Sequence, residues 1–223
     1  MFIPCFTLGA VYGLLLCTMG VAHAGPDMPG PDMPGADFVP SPNFNARMPS
    51  GVPVDVVVLH STCMPTNETD ETVRLFQSTA SKVSSHYVVG KDGRIVQMVS
   101  EGDRAWHAGV CRWQGRTDIN SCSVGIEMVH QDQNAQDDWP DAQMEAVARL
   151  LLSIRARHRV PNDHVIFHSE CAYPAGRKTD PRDFDRSRLL RMTAFFSAAE
   201  VIKERSNKRK GRNAARPNFG ELE

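Results

Sequence analysis

Two histidines and one aspartate have the side chains and the positions to bind a metal ion. His60 follows the apolar run VDVVVL at 54–59, and His168 follows the run HVIF at 164–167. Open α/β folds place their sites where strands end, so both imidazoles are expected at one edge of a sheet. Asp180 would add a carboxylate oxygen and leave a fourth tetrahedral position open, as in catalytic zinc sites. No short motif joins the three residues, so surface or capped histidines are the alternative.

A carboxylate and an ammonium group accompany this set. Glu127 lies among apolar residues in the predicted strand SVGIEMV, where it could act as a general base. A structural carboxylate paired with an arginine is the alternative. Lys178 precedes Asp180 by two residues, so in an extended turn both side chains face the same side. A cation there could stabilise an oxyanion.

The elements that position these residues alternate between strands and helices. Apolar, β-branched runs predict strands at 54–59, 123–129 and 164–167, and SHYVVGKDGRIVQMV predicts a hairpin around Lys91-Asp92-Gly93. Helical spacing of apolar residues predicts a helix from Pro140 to about His158. A short helix is predicted in NETDETVRLFQS and a final amphipathic one in FDRSRLLRMTAFFSAAEVIKE. This order predicts an α/β fold, a single domain with a central mixed β-sheet flanked by helices.

Both ends of the chain differ in composition from this domain. Residues 1–24 carry no charged side chain and end in small residues, which predicts a signal peptide and export to the periplasm or medium; an uncleaved anchor is the alternative. Residues 25–44 repeat PDMPG and predict a Pro/Gly-rich linker. The domain is predicted at 45–202. No later stretch is apolar enough to span a bilayer.

The last segment, 203–223, is predicted to be a basic, disordered tail. It holds seven Lys or Arg and three Glu, a charge of +4, while the rest of the chain carries −5. No aromatic platform or recognition motif accompanies these charges, so the sequence does not indicate nucleic-acid binding.

Four cysteines follow the predicted signal: Cys63, Cys111, Cys122 and Cys171. An even number in an exported protein allows two disulfides in three connectivities. We predict a Cys111–Cys122 disulfide because these residues flank one short loop. Buried thiols are the alternative.

Four segments resemble a known family. VVVLHST, SSHYVVGKDGRIVQMVSEGDRAWHAG, NSCSVGIEMV and HSECAYPAGRKTDP occur in the order seen in zinc-dependent N-acetylmuramoyl-L-alanine amidases of the type 2 family. That family is related to T7 lysozyme and to animal peptidoglycan recognition proteins. The resemblance covers residues from about 54 to 190, and RAWHAG and GRKTDP are most similar to the branch of anhydro-muropeptide amidases.

The resemblance implies a function and a role for each site residue. Zn²⁺ would be bound by His60, His168 and Asp180, with Glu127 as general base and Lys178 stabilising the oxyanion. T7-type relatives carry a catalytic tyrosine where this chain has Ser85, which favours Glu127 for proton transfer. Substrate contacts are predicted for four further residues, Arg104, Trp106, His107 and Arg177.

The expected reaction is hydrolysis of the amide bond between the lactyl group of N-acetylmuramic acid and L-alanine. Its substrate would be peptidoglycan or muropeptides, in degradation, remodelling or recycling of the cell wall. The alternatives are a non-catalytic peptidoglycan-binding module and a zinc peptidase that cuts another peptidoglycan amide bond. Retention of the three candidate ligands together with Glu127 and Lys178 argues against the binding module.

Overall fold

The computed structural model describes residues 30–131 and 137–214, which form strands and helices in alternation. The strands are β1 (Asp37–Phe38), β2 (Phe44–Ala46), β3 (Val56–Ser61), β4 (Tyr87–Val89), β5 (Ile95–Gln97), β6 (Asp103–Ala105), β7 (Ser123–Met128) and β8 (Val165–Phe167). The helices are α1 (Thr69–Gln77), α2 (Ile119–Cys122), α3 (Asp141–Arg157), α4 (His168–Cys171) and α5 (Arg186–Ala214), with a 3-10 turn at Asn162–His164.

Six of the strands form one mixed sheet in the order β1-β5-β4-β7-β3-β8. Strand β3 lies parallel to both β7 and β8, β4 lies parallel to β7, and β5 is antiparallel to β4. Every residue of β3 is buried, as expected of a parallel strand covered on both faces. The predicted α/β domain with a helix-flanked mixed sheet is confirmed.

The two faces of the sheet pack against different clusters of side chains. Val57 and Leu59 of β3 belong to the larger core cluster, which also contains apolar residues of α3 and Leu189 of α5. Val56 and Val58 point to the opposite face. Because side chains alternate along a strand, His60 lies on this second face, beyond Val58.

Ordered structure begins upstream of the predicted boundary at residue 45. Strand β1 pairs parallel with β5, and β2 pairs with β6, although β1 lies wholly inside the predicted linker 25–44. The buried Asn43 amide contacts acceptors of the α1–β4 region, among them Ser78 O at 2.9 Å and Val83 O at 2.9 Å. Proline and glycine exclude a helix or a central strand but permit pairing at a sheet edge. Residues 1–24, the predicted signal peptide, lie outside the described residues.

Helix α5 extends into the segment predicted as a disordered tail. It continues to Ala214, whereas the tail was predicted from residue 203. Lys, Arg and Glu are good helix formers, so a basic composition does not end a helix. Among the described residues, none of the helices has the length and apolarity needed to cross a membrane.

Candidate metal centre and active site

Three buried side chains converge at the carboxyl ends of β3 and β8. The Nδ1 atoms of His60 and His168 are 3.0 Å apart, and Asp180 Oδ2 lies 3.1 Å from His168 Nδ1 and 3.6 Å from His60 Nδ1. A tetrahedral zinc with ligand distances of about 2.0–2.2 Å separates its ligand atoms by roughly 3.3–3.6 Å. The three atoms therefore have the mutual spacing of one face of a metal tetrahedron, and each residue is at most 4% exposed.

The hydrogen bonds behind the imidazoles fit metal binding through both Nδ1 atoms. His168 Nε2 lies 3.0 Å from the Ala108 carbonyl oxygen, which can only accept. His60 Nε2 lies 2.9 Å from His107 Nδ1, and His107 Nε2 lies 3.2 Å from Ser123 Oγ. If each Nε2 carries the proton, every contact has one donor and one acceptor, and both Nδ1 lone pairs face the site.

The electrostatics of the cluster also favour a cation. Burial lowers the pKa of His60 to about 4, so its imidazole is neutral and can donate a lone pair. Burial would raise the pKa of Asp180, but hydrogen bonds with His168 and His60 hold it well below its usual range. Burial would lower the pKa of His168, yet hydrogen bonds to Asp180 and Cys111 outweigh it and raise the pKa to about 9. Without a metal ion, Nδ1 of His168 therefore carries a proton toward Asp180, and a bound cation would replace this proton. The buried carboxylate thus attracts positive charge to the position between the imidazoles.

Gly125 of β7 makes room for the His107 ring. A Cβ atom at this glycine would lie 2.5 Å from His107 Cγ, so any side chain there would displace the ring. The Gly125 N–H donates to Nδ1 of the buried His86 at 2.9 Å. Burial lowers the pKa of His86 to about 3, and burial together with His60 lowers the pKa of His107 well below its usual range. Both rings are therefore neutral supports of the site.

A cavity of about 200 Å³ opens beside the candidate ligands. Glu127 and His60 are directly paired across β7 and β3, and Glu127 lines the cavity together with Lys178 and Trp106. Trp106 is held by a hydrogen bond from its indole Nε1 to Asn45 Oδ1 at 2.6 Å. An apolar wall completes the cavity, formed by Leu75, Phe76 and Val83.

The structure places the other predicted substrate contacts differently. Arg104 forms an ion pair with Asp118 at 2.8 Å and does not line this cavity. Arg177 donates to the carbonyl oxygens of Ala108, Val110 and Tyr173 at 2.8–3.1 Å, so its guanidinium joins two loops. His107 lines the cavity, but both of its ring nitrogens contact protein atoms.

Sequence reasoning missed the residues behind the ligands. Ser123 and the Ala108 carbonyl orient His107 and His168, yet neither belongs to a recognisable metal-ligand spacing. The glycine at 125, in the middle of an apolar strand, was the available signal, because glycine inside a strand often marks a close approach. Ser85 is buried, its hydroxyl has no hydrogen-bond partner among the residues that the structure describes, and it does not line the cavity.

The predicted Cys111–Cys122 disulfide is wrong in this structure. Cys111 Sγ instead lies 2.6 Å from Cys171 Sγ, and neither pair is bonded. Cys122 Sγ lies in α2, 3.6 Å from the Ile119 carbonyl. Cys111 and Cys122 are close in sequence but do not pair, because helix α2 directs the Cys122 side chain toward the backbone of that helix.

Known proteins are similar to this chain in both sequence and fold. The 1,6-anhydro-N-acetylmuramyl-L-alanine amidase AmpD of Salmonella typhimurium is 33% identical over 179 residues, covering 73% of this chain and 92% of that protein. A crystal structure of a selenomethionine AmpD derivative matches with a TM-score of 0.64 and 32% identity, over 72% of this chain and 95% of that chain. Escherichia coli AmiD, in complex with anhydro-N-acetylmuramic acid-L-Ala-D-γ-Glu-L-Lys, matches with a TM-score of 0.56 and 30% identity, over 62% of this chain and 57% of that chain.

The prediction of export is wrong by this comparison. The matching AmpD proteins are cytoplasmic recycling amidases, whereas the matching AmiD is periplasmic. The prediction rested on residues 1–24, which lie outside the described residues. That segment is apolar, but it lacks the Lys or Arg that precedes the apolar run of a secretory signal.

One family model matches the domain that contains the candidate ligands and the residues around the cavity. It covers residues 50–183, more than half of the chain, and is described as N-acetylmuramoyl-L-alanine amidase. The matched segment contains β3, β7 and β8 and the three candidate ligands at their ends. The chain belongs to the type 2 family of N-acetylmuramoyl-L-alanine amidases.

Proposed function

We propose that this chain hydrolyses the amide bond between N-acetylmuramic acid and L-alanine in muropeptides, with Zn²⁺ bound by His60, His168 and Asp180. The observation that carries the proposal is the spacing of the two Nδ1 atoms and Oδ2, 3.0–3.6 Å, beside a cavity lined by a carboxylate and an ammonium group. Two imidazole nitrogens, one carboxylate oxygen and an open position suit catalytic zinc. When bound, the ion would polarise the scissile carbonyl and activate a water molecule.

Glu127 is the proposed general base. It lies on β7 directly opposite His60, on the same face of the sheet, and lines the cavity. Its carboxylate would take a proton from the attacking water and pass it to the nitrogen of the leaving L-alanine. The amine then leaves as a neutral group.

Lys178 and Trp106 are proposed to hold the substrate in the reacting geometry. The ammonium group of Lys178 is exposed at the cavity, two residues from Asp180, where it would stabilise negative charge on the amide oxygen. Trp106 presents an indole face, suited to the apolar side of a sugar or a short side chain.

Product analysis tests this proposal. The full chain with one equivalent of Zn²⁺ should release L-Ala-D-γ-Glu-L-Lys from the matching anhydro-muropeptide, and mass spectrometry should find L-alanine at the new amino terminus. The control is the same protein after removal of metal by a chelator, which should release nothing. Binding of the muropeptide without release would favour the non-catalytic module, and a D-amino acid at the new terminus would favour the peptidase.

A further inference from the structure

Two buried cysteines face each other directly behind the candidate metal site. Cys111 and Cys171 are each 1% exposed, and their sulfur atoms are 2.6 Å apart. Their backbones are joined as well, because Cys111 forms an antiparallel bridge with Ala172, and Arg112 N–H donates to the Cys171 carbonyl at 2.7 Å. Two chain segments separated by 60 residues thus bring two thiols into contact without an intervening side chain.

This pair contacts the groups that orient His168. Cys171 ends helix α4, which begins at His168, and its Sγ lies 3.5 Å from the His168 carbonyl oxygen. Cys111 Sγ lies 3.2 Å from the Ala108 carbonyl oxygen, the acceptor for His168 Nε2. The pair therefore connects the loop that carries this acceptor to the helix that carries the ligand.

The Ala108 carbonyl receives more donors than it has lone pairs. His168 Nε2 at 3.0 Å, Arg177 Nη2 at 3.1 Å and Cys111 Sγ at 3.2 Å all approach the same oxygen. A carbonyl oxygen has two lone pairs, so in the dithiol form the imidazole meets a competitor whenever the single Cys111 S–H points to this oxygen and not to Cys171 Sγ. Loss of the S–H would leave two donors for two lone pairs.

We propose that Cys111 and Cys171 are a reversible thiol–disulfide site whose oxidation strengthens the hydrogen bond that orients the metal ligand His168. The oxidant is a low-molecular-weight disulfide, for which glutathione disulfide is the probe. One protein thiolate attacks a sulfur of glutathione disulfide and releases one glutathione, and the second protein thiolate then displaces the other. Two protein thiols and one disulfide become one protein disulfide and two glutathione thiols.

Peptide mapping of the full chain tests the covalent part. After equilibration with glutathione disulfide, we expect a cross-linked peptide pair that contains Cys111 and Cys171, the loss of two thiols, and full reversal by dithiothreitol. The urea midpoint of unfolding should rise on oxidation, because the bond closes a long loop in the unfolded chain. The matched control is Cys122→Ala, which alters another buried cysteine and should retain both effects. A Cys111–Cys122 linkage, or no loss of thiols at equilibrium, would overturn the proposal.

Metal affinity tests the coupling, which rests on the proposed metal site. Competition with a chromophoric chelator should show Zn²⁺ bound about tenfold more weakly by the reduced than by the oxidised protein, the lower range seen for outer-shell partners. The double variant Cys111→Ala/Cys171→Ala should bind Zn²⁺ with equal affinity under both conditions. Equal affinity in the two states of the unchanged chain would refute the coupling even if the disulfide forms. Absence of Zn²⁺ binding in either state would instead refute the proposed metal site and leave the peptide map unaffected.

Discussion

Metal binding by the two candidate histidine ligands depends on which nitrogen of each imidazole carries the proton. His60 and His168 offer Nδ1 to the site, and each is held in that state by a partner at Nε2. For His168 the partner is a carbonyl oxygen, whereas for His60 it is another histidine, which Ser123 orients in turn. The orientation of His60 therefore depends on a chain of two further side chains, His107 and Ser123.

Glu127→Gln should separate proton transfer from metal binding. The amide has nearly the same shape as the carboxylate but cannot accept a proton from water, so turnover should fall by about 10²–10⁴. Zn²⁺ content, measured by atomic emission after dialysis, should stay at the level of the unchanged chain. Loss of zinc in this variant would mean that Glu127 is itself a ligand.

His107→Phe should weaken metal binding without touching a ligand. The phenyl ring keeps the bulk but removes the acceptor for His60 Nε2, so the affinity for Zn²⁺ should fall by about 10–100-fold, as for other outer-shell partners. Chelator competition measures this change. Ser123→Ala is the matched control, since it removes only the next contact and should cost less. An unchanged affinity in His107→Phe would exclude the orienting role.

The candidate metal ligands could be predicted from the sequence, but the residues that orient them could not. His60 and His168 were noticed because each ends an apolar run, and the resemblance joined them to Asp180 across a long stretch of chain. His107 occurs in RAWHAG and is predicted from the sequence only as a substrate contact. Its contact with His60 depends on the space over Gly125, which only the packed sheet shows.

At the level of secondary structure, strand β7 carries the proposed general base, Glu127, and its Gly125 leaves space for the His107 ring. Glu127 and Gly125 lie on the same face, two residues apart, because side chains alternate along the strand. The strand pairs with β3 on one side and β4 on the other, so its position is fixed from both edges. A change at Gly125 should therefore act on the site without moving the strand far.

Gly125→Ala should disturb both the fold and the metal site. The new methyl group would lie 2.5 Å from His107 Cγ, and overpacking of this kind costs about 1–3 kcal/mol. Urea denaturation should show that loss, and chelator competition a weaker affinity for Zn²⁺. Gly102→Ala is the control, because its methyl group would meet only Ser100 Oγ at 3.7 Å and should leave both quantities unchanged. Normal metal affinity in Gly125→Ala would show that His107 tolerates displacement.

A buried carboxylate joins the loop before β6 to the end of helix α3. Glu101 is 2% exposed and accepts hydrogen bonds from Arg157, His158 and Tyr87 at 2.6–2.8 Å. Burial would raise the pKa of Glu101, but these hydrogen bonds outweigh it and lower the pKa to about 2. The carboxylate is therefore charged in the folded protein well below neutral pH.

Glu101→Gln should lose stability in a pH-dependent manner. The pKa of Glu101 is lowered on folding, so its contribution is complete above the usual glutamate value of 4.5 and disappears as the pH falls toward 2. At pH 7 the variant should be less stable by about 3 kcal/mol, from roughly 1.4 kcal/mol per pKa unit. Urea denaturation at pH 7 and pH 3 should show a smaller difference at pH 3. A difference that does not change with pH would assign the loss to packing instead.

The elements themselves were largely predictable from the pattern. The helix predicted from Pro140 to about His158 is α3, Asp141–Arg157, because its apolar spacing is regular. The strand predicted at 54–59 is β3, Val56–Ser61, which includes His60 as its fifth residue. Edge strand β1 has only two residues and follows a Pro/Gly-rich stretch, so no periodicity could indicate it.

At the scale of the whole molecule, residues 31–44, which precede the predicted domain, contribute to the stability of the fold. Strand β1 extends the sheet, and Asp32 Oδ2 accepts from the Glu101 N–H at 2.8 Å. The Asn43 side chain adds contacts with Ser78 and Val83. Removal of this segment would expose the edge of β5 and leave carbonyl oxygens of the α1–β4 region without a donor.

A chain that starts at residue 45 should be less stable than one that starts at residue 31. Several hydrogen bonds are lost, each with a net value of about 0.5–1.5 kcal/mol, so the free energy of unfolding should fall by at least about 2 kcal/mol. Urea denaturation of both chains measures the difference. Asn43→Ala in the longer chain should account for part of it. Equal stabilities would show that the domain begins at residue 45 after all.

The parallel pairing of β3 with β8 also has a consequence during synthesis. One candidate ligand lies in the first strand of this pair, and the second follows the other strand 108 residues later, with Asp180 beyond it. A nascent chain on the ribosome cannot assemble this ligand set until residue 180 has left the exit tunnel. Uptake of the proposed Zn²⁺ would therefore follow synthesis of the chain beyond residue 180, and the ion would stabilise only chains that have already formed the central strand pairs.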